Sequence, residues 1–213
     1  MASVLTAIIH YQTPDLLQQA VESFRRHEAS APLLVLDNGS NDGSAQLVAS
    51  LPDRFDGLSV KMMQENCFHG PAMDLVLKEA REDCVFFLDS DTITHKGGFL
   101  EPMAAQAAAP DQWACGQVTR ADSRGFASDV GTPVPVSAFM MINRALYCGL
   151  PPFIHHGLPV LQASQAARAR GLTVADFPVE QYVEHLGRGT AERFGYGLGW
   201  RSRLNYLMHR LGI

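Results

Sequence analysis

The stretch Cys84-Val85-Phe86-Phe87-Leu88-Asp89-Ser90-Asp91 decides how this chain is read. An apolar strand runs into two carboxylates spaced i, i+2. Side chains on an extended chain alternate faces, so Asp89 and Asp91 point the same way. Two anions on one side of a strand tip repel each other unless positive charge lies between them. A divalent cation with a taste for hard oxygen ligands, Mg²⁺ or Mn²⁺, meets that need, and such an ion could in turn hold a diphosphate. The competing reading is a polar turn that caps the next segment.

Upstream, residues 4–9 form a short apolar run that reads as a buried parallel strand. His10-Tyr11-Gln12-Thr13 breaks it. A helix is expected over 15–26, with Thr13 as N-cap and Pro14 in its first turn. Residues 32–36 read as a second strand. The turn-forming loop Asp37-Asn38-Gly39-Ser40-Asn41-Asp42-Gly43-Ser44 follows, and Asp42 or Ser44 could cap a helix through Leu51. A third strand is expected at 58–63 and a helix at 72–82, introduced by Gly70-Pro71. Strand and helix alternate with short connections, which predicts an open parallel sheet with right-handed crossovers. Ligands of such sheets lie beyond the carboxyl ends of the strands. His10, Asp37, the Asn66 region and the Asp89/Asp91 pair all sit just after strands, so they should converge on one edge.

Downstream the pattern is less regular. A helix is expected at 99–109, a strand at 113–119 and a Gly/Pro/Ser/Asp-rich loop at 122–135. A buried strand follows at 136–143, then a short helix at 144–150. A helix at 159–170 should stop at Gly171, and short strands are expected at 172–174 and 179–183. Residues 191–213 form a tail with four arginines and His209 after Glu192. Its stretch from Trp200 mixes apolar residues with arginines. That suits an amphipathic helix docked either on an anionic membrane or on protein, including a second copy in a homodimer.

The chain has 213 residues and is 46% hydrophobic, which fits one domain with a real core. Its net charge of −5 argues against a general nucleic-acid binder. Cys67, Cys84, Cys115 and Cys148 lack C-x-x-C spacing, so free thiols in a reducing compartment are expected. The N-terminus has no signal-like run, and no stretch reaches membrane-span length. A cytoplasmic protein is the expectation, with peripheral membrane contact through the tail as an option.

At this point the chain resembles the family 2 glycosyltransferases, inverting enzymes of the GT-A fold. The matching features arrive in the family's order. Ala7-Ile8-Ile9-His10-Tyr11-Gln12-Thr13-Pro14-Asp15-Leu16-Leu17 is similar to the family's opening strand, Tyr-Asn turn and helix, with Gln12 in place of the usual Asn. Residues 35–44 are similar to its nucleotide-binding loop. Asn66…Ala72…Asp74 keeps the spacing of its Asn-rich motif, with Phe68 where Gly is usual. Phe87-Leu88-Asp89-Ser90-Asp91 is similar to its metal motif, and His185-Leu186-Gly187-Arg188-Gly189-Thr190 to its late His-x-Gly segment.

The resemblance implies an α/β GT-A-type single domain with a Rossmann-like, mostly parallel central sheet flanked by helices. Residues 1–100 would form the nucleotide-sugar half and 101–190 a smaller, irregular acceptor side. It implies a transferase acting on a nucleotide-sugar donor, a UDP-sugar before a GDP- or dTDP-sugar. The acceptor would be a glycan, a lipid-linked sugar or a small molecule. Asp37 would accept a uracil N–H, or else cap its own turn. His10 and Tyr11 would flank the base, although a tyrosine there also suits a core edge. Asp74 would face the ribose, or sit on a solvated helix face. Ser90 belongs to the same donor site. Asp91 would ligate Mn²⁺ or Mg²⁺ directly, with Asp89 toward the ribose or a metal-bound water. His185 is the candidate third ligand, and Arg188 could pair with a phosphate or lie in solvent.

One departure stands out. The family's general base comes from a Glu-Asp pair just before a helix that ends in Gly. Counting back from Gly171, the pair should fall near Pro159-Val160, yet no carboxylate lies between Leu146 and Val174. His155 or His156 could serve as base, unless they are an ordinary polar loop. Asp122 or Asp129 could reach the acceptor from another loop. The donor phosphate could take the proton, as in retaining transferases, or turnover could have been lost, leaving a nucleotide-sugar-binding module. A nucleotidyltransferase fits less well, because the turn after the first strand has neither Gly nor a basic residue for a triphosphate.

Overall fold

The structure is a computed structural model that describes residues 2–154 and 158–187. Four strands alternate with helices at the start. They are β1 (Val4–His10), α1 (Pro14–His27), β2 (Leu33–Asp37), α2 (Ser44–Arg54), β3 (Leu58–Met62), α3 (His69–Glu79) and β4 (Cys84–Asp89). There follow β5 (Thr92–Thr94), α4 (Leu100–Ala107), β6 (Gln112–Ala121), β7 (Thr132–Asn143), α5 (Arg144–Tyr147), α6 (Leu161–Ala169), β8 (Thr173–Asp176) and β9 (Val183–His185).

Seven strands make one sheet in the order β3-β2-β1-β4-β7-β6-β8. Strands β3, β2, β1 and β4 are parallel neighbours. β7 runs antiparallel to both β4 and β6, and β8 is parallel to β6. Six strands of the sheet thus share one direction. The chain leaves β1 toward β2 and later returns to its other side as β4, so the topological switch point, where such sheets bind ligands, lies beyond the carboxyl ends of β1 and β4. β5 and β9 pair as a separate antiparallel ribbon.

Side-chain alternation explains the three layers. On β4, Cys84, Phe86 and Leu88 join the core beneath α1, α2 and α4, while Val85 and Phe87 join the core beneath α3 and α6. Ile8 and its neighbour Ala7 divide in the same way on β1. Each large apolar side chain buried like this contributes about 1.5–3 kcal/mol relative to exposure, so both faces of the sheet are held. Among the described residues, no helix is long and apolar enough to cross a membrane.

Several boundaries depart from the sequence-based expectations. α3 begins at His69 rather than 72, because Gly70 and Pro71 sit in its first turn, where a missing N–H costs nothing. β7 begins at Thr132, so the expected loop at 122–135 is shorter. Pro133 and Pro135 are tolerated because β4 pairs with β7 only from Phe139 onward, leaving that edge of residues 132–136 without a partner strand in the sheet. The strand expected at 179–183 is a 3₁₀ turn, Val179–Gln181, followed by β9. Thr13 holds the N-cap position of α1, but its hydroxyl makes no capping bond. Gly43, at φ +86°, is the N-cap residue of α2, while Asp42 Oδ1 accepts from the Ser44 N–H at 3.1 Å. Gly171, at φ +76°, ends α6 as expected.

Candidate active site

The strand tips bring an acidic cluster together. Asp89 ends β4, and Asp91 follows in the turn to β5. The β5–β9 ribbon delivers His185, which pairs in register with Thr92. The Leu186 N–H donates to the Asp91 carbonyl at 2.9 Å, which fixes the ribbon on that turn. One donor atom each from Asp89, Asp91 and His185 fits within 4.8 Å of the others. His185 Nε2 lies 3.2 Å from Asp91 Oδ1 and 3.7 Å from Asp89 Oδ2. The edge of the His185 ring meets Phe139 of β7, with centroids 6.5 Å apart. Two carboxylates and an imidazole form a donor set that suits Mn²⁺ or Mg²⁺.

The electrostatics agree with that geometry. Burial is the main influence on Asp89 and pushes its carboxyl above the usual range; Asp91 adds to the rise, and His69 and His185 oppose it. His185 is raised, first by its hydrogen bond to Asp91, against the opposing effect of burial. The shift favours the protonated imidazole, whose positive charge answers the two adjacent carboxylates. A cation with the same neighbours would take over that role.

His69 was not among the residues singled out from the sequence. Its Nε2 lies 3.5 Å from Asp89 Oδ1. The sequence did hold a signal for it. Parity along β4 carries Val85, Phe87 and Asp89 to the α3 side, and His69 is the first residue of α3.

The loop after β2 is stitched to its neighbours. Asp37 is buried, and its carboxylate accepts from Ser40 N–H at 3.3 Å and Ser40 Oγ at 2.5 Å, so it does close its own turn. Asn38 Nδ2 donates to Asn66 Oδ1 at 3.1 Å, and Asn38 Oδ1 accepts from the Cys67 N–H at 3.1 Å. Gly39 is required here: at φ +75° its Cβ would stand 2.5 Å from the Glu65 carbonyl carbon. His10, paired in register with Asp37, is fully buried, and both of its ring nitrogens lack a hydrogen-bond partner. Burial lowers its pKa, and Asp37 and Asp42 offset this in part. Tyr11 is half-buried beside it, and Ser90 is buried next to the acidic pair.

Other expected site residues lie apart from this cluster. Asp74 is buried rather than solvated. It accepts from Tyr147 Oη at 2.7 Å and pairs with Lys78 Nζ at 2.6 Å, so both of its oxygens are engaged below the α3 start. Asp129 is exposed in the β6–β7 loop, and no described contact joins it to Asp89 or Asp91. Asp122 closes its own turn by accepting from Arg124 and Phe126 N–H groups at 2.8 and 3.0 Å. At the start of α6, where the carboxylate pair was sought, Val160 and Leu161 are buried and apolar. His155, His156, Arg188 and the 191–213 tail lie outside the described residues.

The profile of Glycosyl transferase family 2 matches residues 6–163, most of the chain. The chain belongs to glycosyltransferase family 2. A comparison with curated proteins returned no match. Among solved structures, the mannosyltransferase PcManGT from Pyrobaculum calidifontis, in complex with GDP-Man and Mn²⁺, is similar with a TM-score of 0.71 at 17% identity. That likeness covers 99% of this chain and 63% of the other. TarS 1-349 of S. aureus in complex with UDP-GlcNAc has a TM-score of 0.62 at 16% identity, over 86% of this chain and 60% of that one. TarS 1-349 in complex with UDP gives 0.62 at 17%, over 85% and 59%. This family 2 chain therefore spans about three fifths of the length of these structures, whose shared feature with it is the GT-A fold.

Family membership sharpens two local observations. Gln12 and Phe68 stand where family 2 usually has Asn and Gly, and among the described residues they are the non-glycine positions with positive φ, at +52° and +70°. Asn and Gly enter that region readily. Gln12 is held there by its N–H to Ser40 Oγ at 3.0 Å and by its side-chain amide to Asn41. Phe68, at ψ 164°, occupies territory that is almost exclusively glycine's. Its N–H donates to Asn66 Oδ1 at 2.7 Å.

Proposed function

We propose that this chain binds a nucleoside-diphosphate sugar with a divalent cation and transfers the sugar to an acceptor hydroxyl with inversion. The observation that carries the reading is the Asp89/Asp91/His185 set within 4.8 Å, at the switch point between β1 and β4. Asp91, His185 and Asp89 would hold the ion together. When bound, the ion supplies charge neutralisation as negative charge builds on the diphosphate leaving group. His10, Tyr11 and the Asp37 loop line the adjacent strand tips and would receive the base. Uracil is the base of choice, since a carboxylate at Asp37 suits its N–H. For Asp37 to reach it, the Ser40 contacts must give way.

The proton of the acceptor needs a taker. His155 or His156 is proposed for that role. Ile154, directly before them, rests its carbonyl against Gly70, next to His69. This brings the described end of that segment to the α3 start, beside Asp89. The apolar residues at the start of α6 favour one competing reading, a nucleotide-sugar-binding module without turnover.

Calorimetry of UDP and GDP with and without Mn²⁺ tests the proposal. Affinity for one of them should rise at least about tenfold with the ion. Absence of any metal-promoted binding of either nucleotide overturns the reading. Release of UDP from UDP-sugars then separates the two alternatives: slow hydrolysis marks an enzyme, and tight binding without hydrolysis or transfer marks a module.

A further inference from the structure

We infer that His69 is a positioning residue that holds one oxygen of Asp89, so that this carboxylate meets the cation through its other oxygen only. The inference rests on the reading of Asp89, Asp91 and His185 as the cation's ligands. The two oxygens of Asp89 are already divided between two imidazoles. Oδ1 faces His69 Nε2 at 3.5 Å, and Oδ2 faces His185 Nε2 at 3.7 Å. His185 also reaches Asp91, at 3.2 Å. His69 is outside the donor set that fits within 4.8 Å, so it does not join the ion alongside the other three without moving. It acts through Asp89. An N–H on Nε2 needs to close only a few tenths of an ångström to donate to Oδ1. Hydrogen bonds of this kind orient ligating carboxylates and tune the metal.

The backbone around His69 is built to hold it there. Phe68, immediately before it, sits at φ +70° and ψ 164°. Such a conformation is strained for any residue but glycine and persists only where the surroundings enforce it. Asn66 Oδ1 enforces it by accepting from Phe68 N–H at 2.7 Å, and Asn38 Nδ2 pins Asn66 at 3.1 Å. On the other side of His69, Gly70 presses against Ile154 so closely that a Cβ would stand 1.8 Å from the Ile154 oxygen. The His69 Cα is thus clamped between the loop after β2 and the backbone at Ile154. Both clamps end on the residue that meets Asp89.

Mn²⁺ binding to the full chain, read by electron paramagnetic resonance without nucleotide, tests this. His69→Leu should weaken Mn²⁺ about tenfold, and His69→Gln, which restores an N–H donor, should return it to within about threefold of wild type. His185→Leu and His185→Gln should both weaken it, because there the lost group is a ligand. If His69→Leu binds Mn²⁺ like wild type, or if His69→Gln is no better than His69→Leu, the inference falls. If His69→Leu does not fold, His69→Gln decides: affinity within threefold of wild type supports the inference, and a tenfold loss removes it. A wild-type chain that binds no Mn²⁺, or binds it equally well as Asp91→Asn, defeats the underlying ligand assignment and the inference with it. Asp91-dependent binding that is indifferent to His69 defeats the inference alone.

Discussion

The parallel half and the antiparallel half of this molecule solve different problems with the same sheet. From β1 to β4, parallel strands end in line, and each of β1, β2 and β4 closes on a polar group: His10, Asp37, then Asp89 with Asp91 after it. From β6 to α6 the strands change direction, and the helix that should present a carboxylate begins instead with buried Val160 and Leu161. A run of parallel βα units places chemistry at its strand tips by topology alone. An antiparallel return has no such rule, so its functional groups depend on individual loops. The family pattern accordingly survives closely on the first side and loosens on the second.

The comparison can be broken most directly at the acidic pair. Asp91→Asn should lower Mn²⁺-dependent nucleotide affinity about a hundredfold, close to 3 kcal/mol, measured by calorimetry. Metal-free nucleotide affinity should hardly change. The seam between the two sides comes next. Gly70→Ala places a methyl group against the Ile154 carbonyl and should cost about 2–3 kcal/mol in urea unfolding. An unchanged stability would show that the two sides are not pressed together there.

Phe68 sharpens the contrast within the parallel half. Phe68→Gly should be more stable than Phe68→Ala by about 1–2 kcal/mol, because alanine keeps the backbone penalty that glycine relieves. Equal stabilities would mean that φ relaxes freely at this position.

The smallest expected effect concerns His10 and pH. Burial lowers its pKa, so the fold favours the neutral ring, while the unfolded chain takes up a proton near the ordinary value of 6.5. Its contribution is therefore present above that pH and is lost as pH falls below it, at up to about 1.4 kcal/mol per pH unit. His185, with its raised pKa, works in the opposite sense: its contribution is full at low pH and is lost as pH rises through the folded value. His10→Phe should lose less stability than wild type between pH 7 and pH 5, read from urea midpoints at each pH. A steeper loss would place a partner on the ring that the fold does not show.

The parallel half was legible because its strands are buried on both faces and appear in the sequence as bare apolar runs closed by turn residues. The acidic pair and His185 were found by spacing and by family pattern, and the fold brings them together. Proline misled twice, at Pro71 and at Pro133/Pro135, because whether a missing N–H matters depends on the neighbour it would have served. Asp74 was readable as polar and near the motif. Its pairing with Lys78 is an i, i+4 contact within α3, but its bond to Tyr147 required knowing that α5 packs beside α3. His69 escaped because a contact between a helix start and a strand tip leaves no spacing in the sequence, although counting residues along β4 points toward it.

The small β5–β9 ribbon separates being folded from being able to grip an ion. Every strand of the seven-stranded sheet is complete by Asp176, yet the imidazole arrives only with residues 183–185. A molecule ending short of that ribbon would still contain every strand of the main sheet, but Asp91 would lose the His185 imidazole and Asp89 would face His69 alone. The main sheet and the third donor of the proposed cation site thus come from separate stretches of chain, joined where Val183 packs into the core.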